Sequence, residues 1–158
     1  MKFNSALKNF VLVLFSALLI SACSAKKASV DTVDDVYTGT DTVEYLANGV
    51  PDRVFFATNK SSLTTRSRDT LRKQATYLRK NKDLTVTIEG HADERGTREY
   101  NLALGERRAN AAKDYLMTYG VSGKRISVIS YGKEKPVNPA SSPLAWSQNR
   151  RSVTIKAN

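Results

Sequence analysis

Short hydrophobic runs, and apolar residues at helical spacing, divide the chain after about residue 50 into predicted strands and helices. Runs of aliphatic, β-branched and aromatic residues predict strands at residues 53–56, 84–89, 126–131 and 151–156. Apolar residues at helical spacing predict a helix over residues 63–81 and a second helix from the N-cap Thr97 to about Tyr119, before Gly120. The region between the last two strands is predicted to be a long loop because it contains Pro136, Pro139 and Pro143.

The order of these elements is strand, helix, strand, helix, strand, strand. This order predicts an α+β or α/β sandwich, in which two helices pack on one mixed sheet of about four strands. Since crossovers between parallel strands are right-handed, the first strand pairings are expected to be parallel. No internal repeat is visible in the sequence.

Residues 1–22 have the pattern of a secretory signal peptide. Lys2 and Lys8 provide the positive start, and residues 10–20 form a hydrophobic stretch. This stretch is too short for a comfortable transmembrane helix, although an uncleaved membrane anchor is the alternative. The pattern therefore predicts export from the cytoplasm.

Cys23 is the only cysteine, so the chain cannot form an intramolecular disulfide bond. The order Ile-Ser-Ala-Cys at residues 20–23 resembles the bacterial lipobox, in which the cysteine is lipidated, and a coincidental cysteine is the alternative. Attached acyl chains would anchor the protein firmly, because each buried CH₂ contributes about 0.8 kcal/mol. Ser24 after the cysteine, rather than Asp, favours the outer membrane by resemblance to lipoprotein sorting signals.

Residues 24–50 are rich in Ser, Thr, Asp and Gly and keep no helical or strand period. Such a composition predicts a flexible tether. The predicted organisation is thus a signal peptide over 1–22, a lipidated cysteine and tether over 23–50, and one domain over 51–158.

The chain carries a formal charge of +10, and the excess of basic residues lies in the predicted domain. This charge fits an anionic partner or solubility alone. Nucleic-acid binding is disfavoured, because the protein is expected to be exported and no platform for base stacking is evident. The basic surface of the first helix is most simply a solvated face.

The second helix places two polar residues within its apolar face. At 100° per residue, Asn101 and Arg108 point with the apolar side chains, whereas Arg107 points outward. A buried guanidinium group needs a partner or a ligand. Asp93, in the loop before the helix, is the nearest candidate. The two residues form either a structural ion pair or an acid and a base that both face a ligand, and their spacing does not decide between these interpretations.

A metal hydrolase could be built from His91, Asp93 and Glu94, but these are neighbours in one loop and His91 is the only histidine. His91 is better interpreted as a packed or hydrogen-bonded residue at a strand end. Trp146 is interpreted as a core or loop-packing residue rather than a platform for a sugar. We therefore expect no metal, no cofactor and no enzymatic activity.

Several ungapped motifs, in order along the chain, resemble the family of OmpA-like peptidoglycan-binding domains. These motifs are Gly-His-Ala-Asp-Glu-Arg-Gly-Thr at 90–97, Tyr-Asn-Leu at 100–102, Leu-Gly-Glu-Arg-Arg-Ala at 104–109, Ser-Tyr-Gly-Lys-Glu-Lys-Pro at 130–136 and Asn-Arg-Arg at 149–151. The resemblance covers residues 52–156. It implies the OmpA-like fold and binding of the peptide stem of peptidoglycan at meso-diaminopimelate.

The resemblance also implies roles for individual residues, by their positions in the motifs. Asp93 would take the ammonium group of diaminopimelate, and Arg108 would take its carboxylate. Asn101 and Leu102 would help to line the site, with Arg150 close by.

The first loop departs from the family pattern, because Thr58-Asn59 stands where the family often has Phe-Asp. Asn59 is included as a candidate ligand contact that can hydrogen-bond but supplies no charge. For the whole chain, the resemblance implies an outer-membrane lipoprotein that acts in envelope integrity and cell division. The implied partners are peptidoglycan and the Tol proteins, with TolB as a competing partner, and we expect a monomer.

Overall fold

A computed structural model describes residues 35–157, and the predicted signal peptide, Cys23 and the first part of the predicted tether lie outside these residues. None of the helices in the described range is long and apolar enough to cross a membrane. The elements of this range are β1 (Tyr45–Ala47), β2 (Val50–Pro51), β3 (Arg53–Phe55), α1 (Thr65–Lys80), β4 (Val86–His91), α2 (Arg98–Thr118), a 3₁₀ turn (Gly123–Arg125), β5 (Ile126–Gly132), α3 (Pro143–Asn149) and β6 (Arg151–Lys156).

Four of the strands form one mixed sheet in the order β3-β6-β4-β5. β4 and β5 are parallel, as predicted, whereas β6 is antiparallel to both of its neighbours. The expected parallel pairing of β3 with β4 is wrong, because β6 lies between these two strands. The first four residues of β6 are all buried, so this strand lacks the alternation of a strand with one solvated face.

The two long helices are confirmed, and they form one hydrophobic core with the sheet. α2 begins as predicted at Thr97, whose side chain accepts a hydrogen bond from the backbone N–H of Tyr100. It ends before Gly120, whose φ of 82° suits glycine. The core contains side chains from both helices and the sheet, including Val54, Phe56, Leu71, Leu78, Ile88, Ala109 and Leu116.

α2 crosses β4 at a close contact between two glycines. A Cβ atom on Gly90 would overlap the carbonyl oxygen of Gly105, and one on Gly105 would lie 2.8 Å from the Gly90 oxygen. Neither position therefore has room for a side chain. Asn101 and Arg108 lie about one helical turn before and after Gly105. The contact between the two glycines therefore sets the position of both side chains relative to β4.

A third helix, α3, interrupts the region that the prolines predict as a loop. Pro143 is the first helical residue, where no N–H group is required, and Ser142 caps the helix by accepting from the N–H of Ala145. The prediction of an uninterrupted loop is wrong here, because a proline can begin a helix as well as exclude one.

Residues 35–51 pack on the domain, although the sequence predicts a tether as far as residue 50. β1 pairs with β2 in an antiparallel hairpin, and Tyr37 and Leu46 are buried. The Tyr37 ring meets Phe55 edge-on, with 4.8 Å between the ring centroids. These apolar residues follow no period, so only their burial shows that they belong to the domain. The ordered domain therefore begins earlier than predicted.

Candidate functional site

The candidate site lies at one edge of the sheet, where separate segments of the chain meet. β3 and β4 run in the same direction, because each is antiparallel to β6. Their C-terminal ends therefore lie at the edge where β6 begins. The loop after β4 provides Asp93, Arg150 directly precedes β6, and α2 projects Arg108 towards the same edge.

Arg108 is completely buried, as its position on the apolar face of α2 predicts, while Arg107 is exposed. Three backbone carbonyl groups accept hydrogen bonds from its guanidinium. Nε donates to Lys60 at 2.9 Å, Nη1 to His91 at 2.8 Å and Nη2 to Ala57 at 3.1 Å. These bonds hold the guanidinium between the loop after β3 and the end of β4.

The structural ion pair between Asp93 and Arg108, one of the two interpretations that their spacing leaves open, is not formed in the described part of the chain, where Arg108 is held by carbonyl groups instead. A structural ion pair between these two residues is therefore wrong as an account of the buried arginine. Burial lowers the pKa of Arg108 to about 10; the charge of Arg150 acts in the same direction and that of Asp93 opposes it. Arg108 still carries its charge at neutral pH.

Asp93 is buried and accepts hydrogen bonds from two arginines. Arg95 donates to it from its backbone N–H at 3.1 Å, from Nε at 3.1 Å and from Nη2 at 2.6 Å. Arg150 donates from Nη1 at 3.4 Å. Burial raises the pKa of Asp93, but the hydrogen bonds and charge of Arg95, together with Arg150, lower it by more. The pKa of Asp93 therefore lies below its ordinary value. The carboxylate is therefore ionised at neutral pH.

Arg150 is also buried, and it links three parts of the site. Its Nε donates to the carbonyl oxygen of Phe56 at 3.0 Å, and its Nη1 contacts Asp93. Its Nη2 lies 2.9 Å from a carboxylate oxygen of Asp35. The predicted position of Arg150 beside Asp93 thus agrees with these distances.

The other three predicted residues lie at the margin of the site. Asn101 is buried, and its side-chain amide donates to the carbonyl oxygen of Arg95 at 2.9 Å, which ties the loop to α2. Leu102 is half-buried beside it. Asn59 is exposed, with a φ of 55°, at the tip of the loop whose carbonyl groups hold Arg108.

Arg95 and Thr58 contact the site residues but received no role from the sequence. Arg95 Nη2 lies 3.2 Å from the Thr58 hydroxyl oxygen. The signal for Arg95 is its place two residues after Asp93 in a tight loop, where an aspartate can accept from the backbone N–H. The signal for Thr58 is its position in the loop that follows β3, at the same sheet edge.

Trp146 packs against the loop, in agreement with its interpretation as a loop-packing residue. Its indole N–H donates to Glu94 at 2.8 Å, and the guanidinium carbon of Arg95 lies 4.4 Å from the ring centroid. α3 therefore supports the loop that carries Asp93. A cleft of about 510 Å³ lies alongside, lined by residues 35–39, 143–144, 146–147, Arg95 and Arg150.

His91 is a buried residue at the end of β4, which confirms its interpretation as a packed strand-end residue. Its Nε2 lies 3.4 Å from Glu89 and its ring centroid 5.6 Å from that of Tyr131. Burial lowers its pKa to about 3, and the positive charges of Arg151 and Lys135 contribute. Among residues 35–157, no group of three His, Cys, Asp or Glu side chains is placed to hold a metal ion.

Comparison with known protein families matches residues 55–150 to the OmpA family. A peptidoglycan-associated lipoprotein of Mesorhizobium japonicum is 43% identical over 150 residues, covering 91% of this chain and 89% of the relative. That of Rhizobium meliloti is 44% identical over 151 residues, covering 92% and 85%.

Solved structures show the same fold. The crystal structure of the peptidoglycan-associated lipoprotein from Burkholderia pseudomallei is 37% identical, with a TM-score of 0.66, over 67% of this chain and 90% of that one. The C-terminal domain of Helicobacter pylori MotB shares the fold at 21% identity, with a TM-score of 0.63, over 68% and 84%.

Proposed function

The chain belongs to the OmpA family, and from this membership we propose that it binds peptidoglycan without a covalent bond and tethers the outer membrane to the cell wall. Support comes from relatives of similar length that carry the name peptidoglycan-associated lipoprotein. The observation that carries the proposal is a buried acid, Asp93, that contacts the buried guanidinium group of Arg150 and acts through its charge on the buried Arg108. The function is one of binding rather than catalysis.

The ligand that best fits this arrangement is the meso-diaminopimelate residue of the stem peptide. Its side chain ends in a carbon atom that bears both an ammonium and a carboxylate group. Asp93 would pair with the ammonium, and Arg108, with Arg150 close by, would pair with the carboxylate. Charge-assisted hydrogen bonds of this kind are roughly twice as strong as neutral ones.

The present partner of Asp93 can give way to a ligand. The side chain of Arg95 is 42% exposed, whereas that of Asp93 is 9% exposed. The charge of Arg95 can move into solvent, and a ligand cation that takes its place keeps the buried carboxylate paired, so that no uncompensated charge remains. The ligand ammonium would then replace the Arg95 guanidinium on a carboxylate that is already ionised and oriented.

Arg108 can offer further donors to a carboxylate. Its three hydrogen bonds use one N–H from each nitrogen, so each terminal nitrogen keeps a second N–H. Because the side chain is fully buried, the ligand reaches it only when a neighbouring group moves aside. Leu102 and the exposed Asn59 lie at the margin, where they would contact the remainder of the stem peptide.

The proposed tether has its other end in the lipid of the outer membrane. Lipidation of Cys23, which would be the first residue of the mature protein, would provide this anchor. Within the Tol-Pal system, TolB would compete with peptidoglycan for the domain, and the complex would act in envelope integrity and cell division. Nucleic acid is not a proposed partner, and the protein is proposed to act as a monomer.

Calorimetric titration with three stem peptides tests the proposed ligand. They differ only at the third residue, which is meso-diaminopimelate, its side-chain amide or lysine. Lysine lacks the carboxylate, and the amide lacks its charge, so each would lose the charge pair with a buried arginine, and truncating one partner of such a pair costs about 2–5 kcal/mol. We expect both to bind at least about tenfold more weakly than meso-diaminopimelate, since about 1.4 kcal/mol is one decade.

Equal affinities for the three peptides would overturn the assignment of Asp93 and Arg108 to the ends of diaminopimelate. The glycan or the stem backbone would then be the recognised part. The assignment would also be overturned if none of the three peptides bound while the protein still bound intact sacculi.

A further inference from the structure

The segment at residues 35–37 is bound across the candidate site by its first residue. A carboxylate oxygen of Asp35 accepts from the backbone N–H of Thr58 at 2.9 Å, and the other lies 2.9 Å from Nη2 of Arg150. The Thr58 hydroxyl also contacts this carboxylate, and Arg150 also donates to the Asp35 carbonyl oxygen. Asp35 therefore places a carboxylate group on two groups of the site.

Tyr37 gives the same segment an apolar anchor two residues later. Its side chain is buried and meets the Phe55 ring edge-on, at a centroid distance of 4.8 Å. Gly39 allows this position, because a Cβ there would overlap the Tyr37 ring. The segment is thus held at two points, one polar and one apolar, against the loop after β3.

Asp35 contacts the same guanidinium group that contacts Asp93. Arg150 directs Nη1 to Asp93 and Nη2 to Asp35, so the two carboxylates lie on either side of one cation. A ligand carboxylate that pairs with Arg150, or that enters beside the N–H of Thr58, would have to replace Asp35.

We propose that Asp35 is an internal competitor that occupies the place of the ligand carboxylate and must leave when peptidoglycan binds. The inference rests on the proposed function and adds a regulation of its site. If the site is open in only a fraction of the molecules, the apparent Kd of the ligand equals the Kd of the open site divided by that fraction. Half of the Asp35 side chain is exposed, so this carboxylate can leave the site towards solvent.

The test compares two alanine variants of the full chain by calorimetric titration with the meso-diaminopimelate stem peptide. Asp35→Ala removes the competing carboxylate, so it should bind the peptide about threefold more tightly, or better. Asp41→Ala is the matched control, because it removes the same charge six positions further along the chain, outside the segment. The Asp41 carboxylate accepts a hydrogen bond from Gln148 at 3.0 Å rather than from Arg150. The affinity of the Asp41→Ala variant for the peptide should therefore be unchanged.

Unchanged or weaker binding by Asp35→Ala would overturn the inference, and so would an equal gain in both variants. Asp93→Asn separates this result from the proposed function, since it should lose binding with or without the change at residue 35. If neither the wild type nor Asp35→Ala binds the peptide, the proposed function fails and the inference falls with it.

Nuclear magnetic resonance follows the displacement directly. The Thr58 amide resonance should move in Asp35→Ala, and the peptide should shift the amides of residues 35–37 in the wild type. If the peptide binds while those amides keep their positions, the internal competition is refuted and the proposed function stands.

Discussion

Arg107 and Arg108 are neighbours in the sequence with opposite surroundings in the fold. Arg108 is buried under three carbonyl groups, whereas Arg107 faces solvent on the other side of α2. We expect Arg108→Ala to abolish sedimentation with purified sacculi and Arg107→Ala to weaken it little, although both remove one positive charge. A general attraction of the basic domain to the cell wall would instead weaken both equally.

The folded state of the Arg108 variant needs its own check, because removing the side chain leaves the carbonyl groups of Ala57, Lys60 and His91 without this donor. Circular dichroism at low temperature monitors the fold. Arg108→Lys retains the charge but cannot make the three-point contact, so sacculus binding should be reduced in this variant as well.

His91 makes the stability of the domain depend on pH in a defined window. Its pKa is about 3 in the fold against an ordinary value of 6.5, mainly because of burial. Between these values the unfolded chain binds a proton that the folded chain does not, so the free energy of unfolding falls as the pH is lowered from 6.5 towards 3. The slope should approach about 1.4 kcal/mol per pH unit.

Urea unfolding of the wild type and of His91→Gln between pH 5 and pH 7 measures this effect. The chain has one histidine, and the carboxylic acids titrate mostly at lower pH, so the variant should lose most of the slope in this range. A variant with the wild-type slope would indicate that the buried ring accepts a proton without cost.

At the scale of the elements, the contact between α2 and β4 determines where the site residues lie. Gly90→Ala would drive its Cβ into the backbone of Gly105, and backbone atoms cannot move aside as a flexible side chain does. We expect a loss of about 3 kcal/mol or more in the free energy of unfolding, since overpacking costs about 1–3 kcal/mol and occasionally more.

Gly123→Ala is the matched control, because the new Cβ would meet only the end of the Met117 side chain, at 3.2 Å. Its free energy of unfolding should change by about 0.5 kcal/mol or less, as at most surface positions. Chemical denaturation followed by circular dichroism gives both values. Similar losses in the two variants would show that α2 can move away from β4.

At the scale of the whole molecule, the proposed tether depends on one anchoring residue. We expect Cys23→Ala to be recovered in the soluble fraction after the cell wall is digested and the membranes are washed with carbonate. The reason is that the lipid on Cys23 is the proposed apolar anchor. Binding of the released protein to sacculi should be unchanged. Retention of the variant in the membrane pellet would instead indicate an uncleaved signal segment as the anchor.

Features that depend only on neighbouring residues can be predicted from the sequence. The start of α2 at Thr97, its end before Gly120 and the inward direction of Arg108 follow from local hydrogen bonding, from the glycine conformation and from the helical period. The motif around Asp93 likewise indicated the place of the site. α3 is not predicted although its cap is local, because Pro143 stands in a proline-rich stretch and a proline is compatible both with a loop and with the start of a helix.

Contacts between groups that are distant in the sequence are visible only in the folded domain. The place of β6 between β3 and β4 depends on pairing between strands far apart in the chain. Arg108 is held by carbonyl groups rather than by Asp93, and carbonyl groups leave no signature in a sequence because every residue has one. Asp35 reaches Arg150 across 115 positions. No periodic pattern extends over such a distance, so contacts of this kind follow from the packing of the whole domain.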